Sequence, residues 1–321
     1  MSVVSDVKER GLDAVREWSL RLDGAEPVRA EPSGDVPREA ILELADRVRR
    51  WHALQRPADI ELEVEPGVVL QRRWLPLDTV GIYVPRHLIS TLVMCAVPAV
   101  VAGVRRIVVC TPPDGAGQIA AAAQLLGLDE VWALGGPQAI AFLAYVERVD
   151  KIVGPGNQYV NDAKLEVSRD VPIDLPGGPS EVVVVGGDGE LVELELAAQR
   201  EHGHDAVCTA VATLAEAEAI APEHLVLLGD AEREAENVRN AGAVFVGPWS
   251  PVAAGDYATG GNHVLPTNGW ARSVGGLGLE TFLKPVTIQR LTEDGLARIR
   301  PTVEALAAAE GMPAHAAAVR R

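Results

Sequence analysis

Apolar residues recur at helical spacing with polar residues between them over residues 3–22 and 37–54, either side of a Gly/Pro/Glu-containing stretch at 24–34. That period predicts amphipathic helices, and the first eighty residues read as a helical N-terminal region. From Val80 the pattern changes to short β-branched runs that alternate with Ala/Leu-rich segments. Strands are predicted at 107–110, 130–134 and 151–153, and helices at 118–126, 137–145 and 159–167. A second such region follows, with strands at 181–185, 206–212, 225–228 and 243–246 and helices at 191–200, near 215 and at 231–241. Strands alternating with helices imply parallel sheets covered on both faces, so two α/β sheets are expected. Residues 247–278 are Gly-rich and without a period, too long for a mere connection, and form a candidate functional loop. The chain closes with a strand at 286–290, a helix at 295–310, a Gly-Met-Pro break and a short helix carrying His315.

Length and composition narrow the class. With 321 residues, 48% hydrophobic and 23% charged, the chain is globular and long enough for about two domains. Its 45 acidic against 29 basic residues give a net charge of -16, a field that repels phosphate backbones and anionic lipid, so neither nucleic acid nor membrane is an expected partner. The longest apolar run, 92–104, contains Pro98 and Gly103 and falls short of the roughly 20 residues that span a bilayer. The first ten residues lack the basic and apolar regions of an export signal, and a cytoplasmic location is expected. Cys95, Cys110 and Cys208 show no C-x-x-C spacing, so reduced thiols are expected and any metal must use nitrogen and oxygen ligands.

The histidines carry the candidate chemistry. Five of seven, His202, His204, His224, His263 and His315, lie in the second half near helix ends and glycines. Gln199 and His202 stand at i and i+3 and are able to meet one ion; the same spacing also suits a helix end that merely stabilises a histidine. Asp256 and His263 bracket a Gly-Gly turn, which folds back on itself with or without a ligand. Glu223 and His224, adjacent at a strand entry, suit proton transfer, although a surface Glu-His pair is the commoner occurrence. Gly154-Pro155-Gly156-Asn157 ends a strand and opens a helix, but no G-x-G-x-x-G accompanies it.

Taken together, the motifs say more. Gly-Ile-Tyr-Val-Pro (81–85), Gly-Gly-Pro-Gln-Ala-Ile-Ala (135–141), Gly-Pro-Gly-Asn (154–157), Gly-Pro-Ser-Glu (178–181), Gln-Arg-Glu-His-Gly (199–203), Pro-Glu-His-Leu (222–225), Gly-Asp-Tyr-Ala-Thr-Gly-Gly-Asn-His-Val-Leu-Pro-Thr (255–267) and Glu-Gly-Met-Pro-Ala-His (310–315) resemble, in order and spacing, the histidinol dehydrogenase family. The resemblance implies a homodimer that oxidises the amino alcohol L-histidinol to L-histidine through the aldehyde, with NAD as oxidant and one zinc ion. It implies Gln199, His202, Asp256 and His315 as metal ligands, His224 as general base and Glu223 as activator of water. Ser180, His263 and Glu310 would position substrate, and Tyr83, Gln138 and Asn157 would contact NAD. A C-terminal tail exchanged between subunits is implied as well.

The resemblance also implies an architecture: two Rossmann-like parallel-sheet domains, one trimmed, with a helical N-terminal region and a C-terminal helical tail. Residues 1–80 are expected to pack with a metal and catalytic domain at 182–286, beside an NAD-binding domain at 81–181 and a dimerisation tail at 287–321. Two departures stand out. Only residues 205–221 separate Gln-Arg-Glu-His from Pro-Glu-His-Leu, where the family carries a further α/β unit, and Arg86-His87-Leu88-Ile89-Ser90 replaces a glycine-rich loop. A short paralogue acting on another zinc-chelating alcohol fits the same motifs. So does a non-catalytic zinc-binding relative, against which the retention of Glu223 and His224 counts.

Overall fold

A computed structural model describes residues 2–320, which divide into two compact units, 2–56 with 77–282 and 57–76 with 283–320. The larger unit opens with α1 (Val3–Arg10) and α2 (Leu12–Leu22), a strand β1 (Val28–Arg29) and α3 (Arg38–Ala53). The single helix predicted at 3–22 is broken at Gly11, whose φ of 62° lies in the left-handed region. In α3 the buried residues Ile41, Leu44, Ala45, Val48 and His52 follow one stripe, and α3 packs on α4 (Ile89–Ala102).

The smaller unit holds β2 (Ile60–Glu65), β3 (Val68–Pro76) and β12 (Leu283–Leu291), an antiparallel sheet in the order β12-β3-β2. It continues into α11 (Glu293–Ala309), capped by Thr292, and α12 (Pro313–Ala318). The sequence reading of residues 1–80 as helical is corrected here. Ile60, Leu62 and Val64 alternate with glutamates at period two, a strand signal that the charge of the segment obscured.

Two parallel sheets build the larger unit. The first interleaves β4 (Thr79–Tyr83), α4, β5 (Arg106–Thr111), α5 (Ala116–Leu125), β6 (Val131–Ala133), α6 (Gly136–Ala141), β7 (Lys151–Val153) and α7 (Gln158–Val167). Its order is β1-β6-β5-β4-β7, parallel except at the β1 edge. The helix predicted at 137–145 is α6 followed by a π turn at Phe142–Val146. The second sheet comprises β8 (Glu181–Gly186), α8 (Gly189–Arg200), β9 (Val207–Val211), α9 (Leu214–Ile220), β10 (His224–Leu228), a 3-10 segment at Gly229–Asn237 and β11 (Ala243–Val246). Its order is β11-β10-β8-β9, all parallel, with β9 at the edge. The Gly-rich segment after β11 contains a short helix, α10 (Val252–Tyr257). Among the described residues no helix is long and apolar enough to cross a membrane.

The N-terminal helices divide between the two sheets' surroundings. α1 and α2 lie on α6, α1 also on α7, and β1 pairs with β6, whereas α3, packed on α4, meets residues 182–286 through Arg47 and His52, which reach Ala258 and Asn262. α1 and α2 are held there by the apolar stripe Val4, Val7, Ala14 and Val15, which is buried in the core of the first sheet's helices.

In the first sheet the chain moves outward from β4 through β5 to β6 and then returns to lay β7 on the other side of β4. The crevice between the carboxyl ends of β4 and β7 is thus a topological switch point, the usual ligand position in such sheets. Gly154, just after β7, has φ 110°, and a Cβ there would stand 2.1 Å from the Tyr83 carbonyl oxygen, so no larger residue fits. Its peptide is clamped by a buried ion pair. Asp174 Oδ2 accepts from Gly154 N at 2.7 Å, Lys164 Nζ donates to Gly154 O at 2.8 Å, and Lys164 Nζ lies 2.6 Å from Asp174 Oδ1. Both side chains are almost wholly buried. Lys164→Met should therefore cost about 3–5 kcal/mol in urea unfolding, because Asp174 is left as an unpaired buried charge. Lys164→Met combined with Asp174→Leu should cost less than Lys164→Met alone; an equal or greater loss in the pair would show that the charge is not what matters.

Candidate active site

The first residues of β8 and β10 meet at the amino ends of the second sheet. Glu223 Oε2 accepts from Glu181 N at 2.8 Å and from Ser180 Oγ at 2.7 Å, while Glu223 N points back to Glu181 Oε2 at 3.4 Å. Glu181 Oε1 also accepts from Asn268 N at 2.8 Å, and burial pushes the Glu181 carboxyl above its usual value despite these bonds. Ser180 Oγ in turn accepts from Gln199 Nε2 at 3.0 Å, so the end of α8 joins the same network.

His224 begins β10 and is buried. Its Nδ1 lies 3.0 Å from the Glu181 carbonyl, which only accepts, so Nδ1 carries the hydrogen in the neutral ring. Nε2 then bears the lone pair, and it is buried without a hydrogen-bond partner among the described residues. Asp256 Oδ1 stands 3.8 Å from Nε2, and Glu223 Oε2 lies 3.5 Å from Nδ1. Burial opposes protonation of His224, but Glu223 and Asp256 outweigh it and hold its pKa above the ordinary histidine value.

Asp256 ends α10, and His263 folds back on it: His263 Nδ1 donates to the Asp256 carbonyl at 3.1 Å and Nε2 accepts from Thr91 Oγ1 at 3.3 Å. Burial lowers the His263 pKa against the pull of Asp256. His224, Asp256 and His263 line a cavity of about 400 Å³ whose wall also includes Trp51, His52 and Phe245. The Asp256 carboxylate is mostly buried yet receives no hydrogen bond among the described residues.

The expected residues fall into three groups. Ser180, Gln199, Glu223, His224, Asp256 and His263 come together as described. His202 lies in the turn after α8 and is exposed, and among the described residues no three His, Cys, Asp or Glu side chains are arranged as a metal ion would need them. Glu310, at the end of α11, and His315, on α12, belong to the smaller unit, where both are exposed. The third group stands at the carboxyl edge of the first sheet. Tyr83 is buried, its hydroxyl pushed up to about 12 by burial, and accepts from Gly136 N at 3.3 Å. Gln138 is buried beside it, and Asn157 caps α7 by accepting from Val160 N at 3.1 Å.

Sequence reasoning missed His52, Thr91 and Asn262. His52 Nδ1 donates to Val48 O at 2.8 Å, and Asn262 Nδ2 reaches both His52 Nε2 at 3.4 Å and Met94 O at 2.7 Å. These bonds fasten the loop that carries His263 to α3 and α4. The available signal was the position of His52 on the buried stripe of α3, where a histidine needs partners.

Two parallel sheets of this arrangement define the fold shared with an acetylating aldehyde dehydrogenase of Geobacillus thermoglucosidasius, at a TM-score of 0.53 and 12% identity over 89% of each chain. The model of the histidinol dehydrogenase family matches residues 1–217 and 210–321. Histidinol dehydrogenase of Methanothermobacter thermautotrophicus is 38% identical, over 99% of this chain and 91% of that protein. The crystal structure of histidinol dehydrogenase from Elizabethkingia anophelis superposes with a TM-score of 0.88 at 32% identity, covering 99% of this chain and 89% of that one. The chain belongs to the histidinol dehydrogenase family, and with it to the oxidoreductases. The family model matches in two pieces that overlap at 210–217, inside the short 205–221 segment between the Gln-Arg-Glu-His and Pro-Glu-His-Leu motifs.

The buried His52 gives a test of the wall. Burial lowers its pKa against its backbone bonds, so the folded chain resists a proton that the unfolded chain accepts near the ordinary value of about 6.5. This contribution is absent at high pH, and stability is lost as pH falls through that value. His52→Gln should be less stable than the parent at pH 8 but should lose less stability between pH 8 and 5.5 in thermal unfolding. Parallel pH profiles would assign the acid sensitivity to other groups.

Proposed function

We propose that this chain is a zinc- and NAD-dependent enzyme that oxidises L-histidinol to L-histidine by way of the aldehyde. The observation that carries the reading is His224: its Nδ1–H is fixed on a carbonyl and its unpartnered Nε2 faces the cavity beside Asp256. A mostly buried carboxylate without a hydrogen-bond donor suits a cation, and the donor set is all nitrogen and oxygen. Gln199, His202 and Asp256, with His315, would hold the metal. At the other sheet, the switch point beside Tyr83 and the buried, unpartnered Oε1 of Gln138 suit a dinucleotide, which Tyr83, Gln138 and Asn157 would contact. Residues 81–181 would thus be the cofactor domain and 182–286 the catalytic one. When bound, the metal supplies an anchor for the substrate's imidazole and amine, and NAD accepts two electrons in each of the two oxidations.

The chain's own residues manage the protons. In the first step His224 Nε2 takes the hydroxyl proton as the alcohol carbon is oxidised. In the second, one water must add to the aldehyde before oxidation to the acid. Glu223 has its Oε2 committed to Ser180 and Glu181, which leaves Oε1 to take the water proton. Ser180 lies between Glu223 and Gln199 and so couples the base to the metal side of the site. His263, held by Thr91 and Asp256, forms a fixed wall against which the substrate is positioned.

NADH formation from histidinol and from histidinal by zinc-replete protein tests the assignment, together with metal analysis expected to find about one zinc per chain. His224→Ala should reduce both oxidations by about a hundredfold or more, whereas Glu223→Gln should spare the alcohol step more than the aldehyde step. Equal, small effects in both variants, or a metal content near zero after zinc supplementation, would remove the assignment. A second experiment addresses the tail. The Gly311-Met312-Pro313 break turns the chain so that α12 folds back on α11, where Arg300 Nε donates to Val319 O at 2.9 Å and Arg320 pairs with Glu304, and His315 is left exposed on this helical hairpin, available to a second subunit of a homodimer. Co-expressed, differently tagged His224→Ala and His315→Ala chains should regain activity in the heterodimer, where one of the two sites has both residues intact. Heterodimers as inactive as their parents would place His315 in its own chain's site or in none.

A further inference from the structure

We propose that Asp23, contributed by the N-terminal arm, is a positioning residue of the cofactor edge: its carboxylate decides which end of the Gln138 amide faces the ligand. The proposal rests on the dinucleotide reading of the first sheet. Asp23 closes α2, where its own N–H bonds to Ser19 O. Its Oδ2 accepts from Gly135 N at 3.0 Å and lies 3.0 Å from Gln138 Nε2. A carboxylate is only an acceptor, so the amide must turn its nitrogen to Asp23 and its oxygen away. That oxygen is buried and has no partner among the described residues.

A buried acceptor without a donor is unfavourable, and it calls for an N–H or O–H from outside the chain. A nicotinamide dinucleotide carries both, in its carboxamide and in its ribose hydroxyls. No side chain of the turn itself fits beside the oxygen. Gly136 has φ 59°, and a Cβ there would stand 2.8 Å from Gln138 Oε1. The same turn donates from Gly136 N to the Tyr83 hydroxyl at 3.3 Å. Asp23 therefore holds Gly135 and Gln138 in the turn whose next peptide holds Tyr83, and two of the three expected cofactor contacts depend on one carboxylate from outside the sheet.

The test is NADH fluorescence titrated with the full-length chain as parent, Asp23→Asn, Gln138→Leu and the double variant, each checked for cooperative thermal unfolding. Asparagine offers an N–H as well as an oxygen, so the Gln138 amide is free to turn. Asp23→Asn and Gln138→Leu should each raise the NADH Kd about five- to tenfold, the loss of roughly one hydrogen bond. The double variant of Asp23→Asn with Gln138→Leu should bind no worse than Gln138→Leu within about twofold, because the asparagine oxygen still accepts from Gly135 N and the substitution reaches the ligand only through the Gln138 amide. For Asp23→Asn, kcat at saturating NAD should stay within about twofold of the parent, whereas KM for NAD follows Kd. Asp23→Ser, which also removes the accept-only group, gives the same reading should the asparagine variant not unfold cooperatively. An unchanged Kd in a folded Asp23 variant, or fully additive losses in the double variant, overturns the proposal. A folded parent that binds no NADH at millimolar concentration overturns the cofactor reading itself, and the parent arm separates that failure from the other two.

Discussion

The active end of the molecule depends on a reciprocal clasp between two buried glutamates. Glu223 accepts the backbone N–H of Glu181, and Glu181 faces the backbone N–H of Glu223 while also accepting from Asn268. Strand ends leave backbone donors that must be satisfied when buried, and here carboxylates satisfy them. The clasp fixes the register of β8 and β10 where His224 pairs with Val182, and it aims the Glu181 carbonyl at His224 Nδ1. The tautomer of His224 is thus a consequence of strand pairing. Moving either glutamate would alter at once the packing of the sheet and the protonation pattern of the site.

The two sheets use opposite edges. In the first, Tyr83, Gln138 and Asn157 follow the carboxyl ends of β4, β6 and β7, where the returning connection opens a crevice. In the second, Ser180, Glu181, Glu223 and His224 precede or begin β8 and β10, at the amino ends. Positively polarised helix N-termini gather at carboxyl edges and suit phosphate, whereas the amino edge offers carbonyls and helix C-termini such as that of α8, which suit cations and protonated imidazole. The proposed division of labour between cofactor and metal is therefore consistent with sheet polarity as well as with the residues themselves.

Much of this was legible in the chain. The alternation of apolar strands with Ala-rich helices marked every strand of the second sheet and β5, β6 and β7 of the first to within about two residues, but not β1, β4 or α4, and read as a helix what is a 3-10 segment at Gly229–Asn237; the ordered motifs named Glu223, His224 and Asp256, which the fold brings together. What escaped reading were partners that no local pattern marks. Thr91 lies in an unbroken apolar helix, Asp23 ends an ordinary amphipathic one, and each gains its meaning only from a contact more than a hundred residues away in sequence, to His263 and to Gly135 and Gln138. The strand β2 escaped for a different reason. Its glutamates at every second position gave it the composition of a helix, and only its pairing with β3 discloses the period of two.

The short path between β8 and β10 leaves the clasp undisturbed. The two family matches overlap around β9 and α9, on the outer side of β8, whereas the clasp and His224 lie on the inner pairing of β8 with β10. Because β10 bonds to β8 directly, the length of the path between them does not change where its ends meet. At the outer edge β9 is the last strand, half exposed, with Leu194 of α8 uncovered. His202 stands in the turn between α8 and β9, on this outer side. Gln199, by contrast, is tied through Ser180 to the clasp. Of the two proposed metal ligands at the end of α8, one is thus fixed by the strand pairing and the other stands on an exposed turn.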